Sequence, residues 1–404
     1  MNLGVNEFDA RHNSLNLIRL AFATMVIFSH AYILGGYSGE RAILGNTISG
    51  WAVMGFFCVS GYLVTGSRCN SSAPLFLMQR VGRMFPGYIV CNLITVVVFA
   101  PVALVLATGR IAGYLSTQPS PASYVFANLN PAFVIGQYGI GDTLAGVPYP
   151  NVWSGSHWTL YYEFMCCLVI GVLLSLAPRW RTVGVAAAWV LTTGASLIEP
   201  TLQSRYSAGA LFQGFAQLMP FFLGGSLAYL LKDRLPFRWY IALSSAVVII
   251  ALTGFSPVTG WNGTGLIAPL YTYTILWISS AFPLGKLGTL TRKYDASYGT
   301  YIYGFAVQQL VSVLIIHGYI TKPPLSVDIL IVTVVSVGLG LLSWRFVEQP
   351  AINAVKAMRP KLTSAGQEPT SESTESAGPV DATDSPASDD SAAPAEVSAS
   401  VSLP

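Results

Sequence analysis

Apolar positions in this chain come in long unbroken runs rather than in alternation with polar ones. Ten runs stand out, at roughly 15–34, 44–66, 84–107, 157–177, 183–198, 208–231, 239–254, 264–284, 296–317 and 326–347. About 20 apolar residues suffice to carry a helix across a bilayer, so each run is a candidate span. Strict two-residue alternation, the mark of an outer-membrane barrel, is missing from all of them. The pattern predicts an all-α, polytopic membrane protein of about ten transmembrane helices. The first run is too long for a signal-peptide core and no small-residue cleavage site follows it, which predicts a retained helix.

Composition agrees: 53% of the 404 residues are hydrophobic and only 10% charged, with a mean hydropathy of +0.56. Charge then orients the runs. With the amino terminus in the cytoplasm, 17 of the 21 Lys and Arg residues fall on the inner side or just inside spans that end there. Only Arg41, Arg110, Arg205 and Lys322 fall outside, as the positive-inside rule requires. Both termini are then expected in the cytoplasm and the protein in the cell (inner) membrane.

Three regions follow: a cytoplasmic segment 1–12, a membrane domain 13–355 and a tail 356–404. From Thr363 the tail holds eight acidic residues, no Lys or Arg, and much Ser, Ala and Pro, a composition that predicts disorder. The net charge of +3 therefore conceals a basic membrane body. Cys58, Cys69, Cys91, Cys166 and Cys167 show no metal-ligand or disulfide spacing. No metal, no permanently bound cofactor and no nucleic-acid partner are expected; the oligomeric state is not legible.

Candidate chemistry lies in the few polar residues inside the runs. In IRLAFATMVIFSH, Arg19 and His30 are eleven residues apart, about 16 Å of rise and nearly three full turns, so they share a helix face. Arg19 can snorkel to the surface; His30 is too deep for that. An intramembrane imidazole either braces neighbouring helices or serves as a base that takes a proton from an alcohol near neutral pH. FLMQRVGRMFPGY places Arg80 and Arg83 on one face just before Pro86, a pair suited equally to phosphate binding and to topological anchoring. SGSHWTLYYEFM sets Ser156, Thr159 and Glu163 on one face, with Glu163 about 10 Å below Ser156, a costly depth for an unpartnered carboxylate. GFFCVSGYLVTGS combines small and aromatic residues as close helix packing requires. SWRFVEQP, with Arg345, Glu348 and Pro350, reads as a structural stop at the end of the last span.

Taken in order, the Arg19 and His30 pair, GFFCVSGYLV, RVGRMFPGY, HWTLYYEF, SYGTYIYG and FVEQP resemble acyltransferase family 3, the integral-membrane O-acyltransferases, over about residues 13–355. The resemblance implies transfer of an acetyl or other short acyl group from cytoplasmic acyl-CoA to a hydroxyl on a carbohydrate or lipid-linked acceptor. It implies His30 as catalytic base, Arg19 as its companion, Glu163 in the core of the site and Arg80 and Arg83 near the CoA phosphates. Ser156, His157 and Trp158, at the outer start of their span, are expected to meet the acceptor. The loop from about 108 to 155, rich in Pro, Gly, Tyr and Asn, is long enough to shape that site. One departure is plain: where the family commonly has SYxxYLxH, Gly304 replaces the histidine, and His317 lies about 20 Å further along the helix. Direct transfer and a transient acyl-histidine both remain open. So does a transporter in which Arg19, His30 and Glu163 line a proton or solute path, and a membrane scaffold acting through the tail.

Overall fold

A computed structural model describes residues 8–9, 13–40, 42–130, 135–206, 210–254, 264–282 and 285–364. The expected disordered tail from about 363 lies almost wholly outside these residues, as do Arg11 and Arg41. Fourteen α-helices are assigned: α1 Leu15–Leu34, α2 Ile48–Cys69, α3 Ala73–Ile94, α4 Ala100–Thr108, α5 Pro121–Asn128, α6 Trp158–Leu173, α7 Pro178–Tyr206, α8 Ala210–Leu230, α9 Trp239–Gly254, α10 Ala268–Ala281, α11 Gly285–Lys293, α12 Ser297–Ile316, α13 Leu325–Ser343 and α14 Gln349–Ser364. Among the described residues there is no strand. Seven helical stretches are long and apolar enough to cross a bilayer, and α9 is a shorter apolar helix. The protein is thus an all-α, multi-pass membrane protein.

The centre of the bundle is built on α1, α2, α8 and α12, with α2 packed along α8 and α1 wedged between α2 and α12. Glycine explains how closely α2 and α8 approach. A Cβ on Gly61 would overlap the Phe222 carbonyl, and one on Gly225 would overlap the Cys58 carbonyl. With lipid as solvent there is little hydrophobic gain from helix association, so backbone contact of this kind supplies the attraction. The small-residue stretch in GFFCVSGYLVTGS therefore has the packing role its composition predicts.

Two boundaries differ from the expectation. The third span begins at Ala73 rather than near 84, so Pro86 lies inside a helix. Burial of Leu75 and Phe76 anchors the added turns. FVEQP does not stop the last span either. The helix runs on through α14 by way of a π turn at Trp344–Glu348, followed by Gln349 and Pro350. A second π turn, Thr95–Phe99, is followed in the same way by Ala100 and Pro101, joining α3 to α4. Proline lacks the N–H that would continue an α ladder, and a widened turn just before it absorbs that loss. In both places a sequence that reads as a helix stop is a register shift.

The 108–155 connection forms a folded cap. Trp153 is fully buried and its Nε1 donates to Thr143 Oγ1 at 2.9 Å, while Tyr124 OH meets Ser154 Oγ at 2.8 Å. Gln309 on α12 ties the cap down, its Nε2 donating to the carbonyls of Tyr149 and Val152 at 2.7 Å each.

Candidate active site

The two ends of α1 carry two different environments. At its start, Arg19 donates from Nη1 to Asp295 Oδ2 at 2.9 Å. Asp295 occupies the turn before α12, where the Ser297 hydroxyl donates to its Oδ1 at 2.6 Å. Arg83, on α3, donates to the same Asp295 Oδ2 at 2.5 Å, and its Nη1 lies 3.7 Å from Glu348 Oε2. Its guanidinium also sits 5.0 Å from the centre of the Trp344 ring. Burial by itself raises the Asp295 carboxyl's pKa, but Arg19, Arg83 and Ser297 outweigh it and hold the group well below the usual carboxylate range. Glu348 is fully buried, with Oε1 accepting from Ser343 at 3.0 Å. Thus α1, α3, α12 and the π turn after α13 are pinned together by two arginines and two acids.

Arg80 is different. Its guanidinium lies 5.8 Å from the Phe76 ring centre, its buried Nε has no hydrogen-bond partner, and no carboxylate of the described residues is within ion-pair distance. It lines a cavity of about 390 Å³ together with Arg19, Arg83, Glu163, Asp295 and Lys356. Of the two arginines expected near phosphates, one is committed to structure and the other faces the cavity uncompensated.

Glu163, on α6, accepts a hydrogen bond from Ser60 of α2 at 2.8 Å. With Arg19 it also lines a second, narrow space of about 30 Å³, closed by Phe56, Phe57, Tyr298 and Tyr301. That is room for a single water. From here one face of α12 leads along the bundle: Tyr298, Tyr301, then Phe305 one turn further on. Tyr301 packs edge-on to Phe56 at 5.6 Å, and Phe305 packs edge-on to His30 at 5.3 Å.

His30 lines neither space. Its ring lies under the cap, where Phe305 also meets Tyr149 at 6.3 Å, and among the described residues no hydrogen bond engages its nitrogens. The neighbouring Ser29 bonds to Glu40 and, at 2.9 Å, to Ser49. Arg19 and Glu163 therefore meet at one chamber, while His30 stands apart from them behind an aromatic partition.

Ser156 and His157 face α12. The Ser156 hydroxyl reaches the Tyr301 carbonyl at 3.4 Å, and His157 Nε2 reaches the Ile302 carbonyl at 3.1 Å, leaving its buried Nδ1 unpartnered. Trp158 points outward, 37% exposed, against Tyr162. Gly304 sits where α12 crosses α1: a Cβ there would come within 2.9 Å of Ile27, three residues before His30.

A polytopic helical bundle with a half-buried Arg and, among the described residues, a His without a hydrogen bond on one helix face narrows the field, and comparison with known proteins decides it. An acyltransferase domain family model matches residues 12–345. The chain belongs to acyltransferase family 3. This acyltransferase is 27% identical over 345 residues to an O-acetyl transferase of Shigella phage Sf6, covering 84% of the chain and 96% of the relative. It is 28% identical over 378 residues to nodulation protein 10 of Rhizobium leguminosarum bv. viciae, covering 86% of the chain and 95% of the relative. No solved structure matches the acyltransferase.

Asp295 and Glu348 are the functional-site residues that sequence reasoning missed or misassigned. Eight of the 18 acidic residues lie beyond Thr363, so ten are left in the body beside all 21 Lys and Arg, and Asp295 stands two residues before the start of SYGTYIYG. That scarcity was the available signal.

Proposed function

We propose that this acyltransferase moves an acetyl or other short acyl group from acyl-CoA to a hydroxyl of a carbohydrate, glycolipid or similar envelope or secreted acceptor. The observation that carries the reading is the division of α1: Arg19 lines a cationic chamber at one end, and His30 presents an imidazole that no described residue hydrogen-bonds at the other. The phage relative's name, O-acetyl transferase, supports acetyl as the group. In the cell membrane with both termini cytoplasmic, the chamber opens to the cytoplasm and the cap faces outward.

Arg80, with its unpaired Nε, binds the donor's phosphates, and the pantetheine arm extends past Arg19 and Glu163. Since the passage beyond them holds only about 30 Å³, Phe56 and Tyr301 must swing aside for the thioester to reach His30. His30 takes the proton of the acceptor hydroxyl as its oxygen bonds to the thioester carbon. The carbon–sulfur bond then breaks, and the imidazolium returns the proton to the departing thiolate. The acceptor approaches beneath the cap, near Ser156, His157 and Trp158.

The test is reconstitution in vesicles with labelled acetyl-CoA supplied on one side and acceptor-bearing membranes or polysaccharide on the other. Alkali-labile label on the acceptor, dependent on the donor, is expected. Solute movement with no donor requirement would overturn the reading in favour of transport.

A further inference from the structure

A cavity of about 820 Å³ plays no part in the chemistry above. It lies among α2, α8, α10, the start of α1 and the segment between α8 and α9, and its volume is that of a ligand site. Its inner surface is aromatic. Phe8 meets Tyr62 at 5.2 Å, Tyr62 meets Tyr229 at 5.3 Å, and Phe237 meets Tyr273 at 5.7 Å. Tyr62 and Tyr273 are buried. Its exposed rim is cationic: Lys232, Arg238 and Arg292 outnumber the one carboxylate, Asp233. Lys232 stands 4.7 Å from the Tyr229 ring centre, so base-stacking surface and phosphate-pairing charge are adjacent.

We propose that this cavity holds the adenosine 3′-phosphate end of the acyl-CoA donor, an inference that rests on the donor assigned above. The chemistry fits a nucleotide: a π face stacks on tyrosine and phenylalanine, while phosphates pair with lysine and arginine at the rim. An anionic lipid headgroup would use the rim but would have no use for the ring-lined interior. The two cavities also adjoin. Leu63 lines this cavity and the Arg80 chamber alike, so a donor seated here runs its diphosphate past Leu63 toward Arg80 and its pantetheine toward Arg19.

Two probes separate the nucleotide from the rest of the donor: acetyl-CoA, and S-acetyl-4′-phosphopantetheine, which keeps one phosphate and lacks adenosine 3′,5′-diphosphate. Binding of each is measured on the full-length protein in nanodiscs for wild type, the double variant Lys232→Gln with Arg238→Gln, Tyr229→Leu, Tyr229→Phe and Arg80→Gln. Thermal unfolding is followed alongside, and the exposed rim positions keep the double variant readable if Tyr229→Leu loosens its packing on Gly66. The rim double variant is expected to lower acetyl-CoA affinity relative to the fragment by about tenfold or more, and Tyr229→Leu by about tenfold with Tyr229→Phe restoring it. Arg80→Gln weakens both probes.

An unchanged ratio in the rim variant, with wild type still binding acetyl-CoA, overturns the nucleotide site and leaves the donor assignment standing. If wild type binds neither probe and transfers no acyl group from acetyl-CoA, the donor assignment fails and this site falls with it. An anionic lipid found in the cavity by mass spectrometry, and not displaced by acetyl-CoA, also overturns the proposal.

Discussion

The charged end of α1 and its histidine end differ in how completely the protein satisfies them. Around Arg19 and Arg83, two guanidiniums and two acids neutralise one another within 2.5–3.7 Å. Around His30 there is an aromatic ring and, among the described residues, no hydrogen bond. A buried charge without a partner is costly, so the first arrangement holds helices in place. A neutral imidazole costs much less to leave unpaired, and a ring nitrogen without a protein partner is open to take a proton from a substrate. Under the proposed mechanism the groups left without an ion pair or hydrogen bond among the described residues, His30 and Arg80, are the ones that meet substrate, while Arg83 and Asp295 are committed to each other.

The sharpest way to break this division is at its histidine end. His30→Ala should lower acetyl transfer by about 10²–10⁴-fold while thermal unfolding and membrane accumulation stay near wild type, because a general base is lost and no hydrogen bond is. A similar loss of thermal stability would mean that His30 is a packing residue after all. Turnover near wild type would remove it from the mechanism.

At the charged end the expectation is reversed, with stability falling first. Arg83→Ala leaves Glu348 without an ion-pair partner and Asp295 with Arg19 alone, and should cost about 3–5 kcal/mol of stability. Asp295→Asn adds a pH signature. Since the folded-state carboxyl titrates below the unfolded one, its stabilisation is present above the ordinary carboxylate range and is lost as pH falls through that range toward the lower folded value. Wild type should therefore lose thermal stability on acidification more steeply than Asp295→Asn, as scanning fluorimetry from mildly acidic pH down through the ordinary carboxylate range would show.

Arg80 separates the two behaviours on a single helix. Having no carboxylate to strand, Arg80→Gln should leave the unfolding temperature within a degree or two, yet raise the acyl-CoA concentration for half-maximal rate about tenfold. Equal destabilisation by the Arg80 and Arg83 variants would erase the distinction between them.

The sequence made most of this visible, for identifiable reasons. Long apolar runs announce spans, and scarce ionisable residues inside them draw attention, so Arg19, His30, Arg80, Arg83 and Glu163 all stood out. The pairing of Arg19 and Arg83 on Asp295 did not, because it joins residues 276 and 212 positions apart and no local period encodes that meeting. Glu348 was hidden by its neighbour: Pro350 reads as a stop, and only the π turn shows why the helix continues. The separation of His30 from the Arg19 chamber is likewise invisible on a helical wheel, since it depends on where Tyr301 and Phe305 of another helix stand.

The smallest expected effect concerns Gly304, the position where the family commonly has histidine. Alanine there gains about 1 kcal/mol in helix propensity. Against that, its Cβ would come within 2.9 Å of Ile27 on α1, and overpacking of a tight contact costs about 1–3 kcal/mol. The balance predicts a net destabilisation of about 1 kcal/mol for Gly304→Ala. Transfer should fall a few-fold at most, because the strain enters α1 only one turn from His30. Ile27→Ala removes both side-chain atoms at the contact, Cγ1 and Cδ1, so the pair Gly304→Ala with Ile27→Ala should recover stability and transfer beyond what the single effects would sum to. A double-mutant cycle on unfolding temperature and rate measures this directly. Strict additivity would show that the glycine is not there to let α12 approach α1, and that the missing histidine matters for some reason other than space.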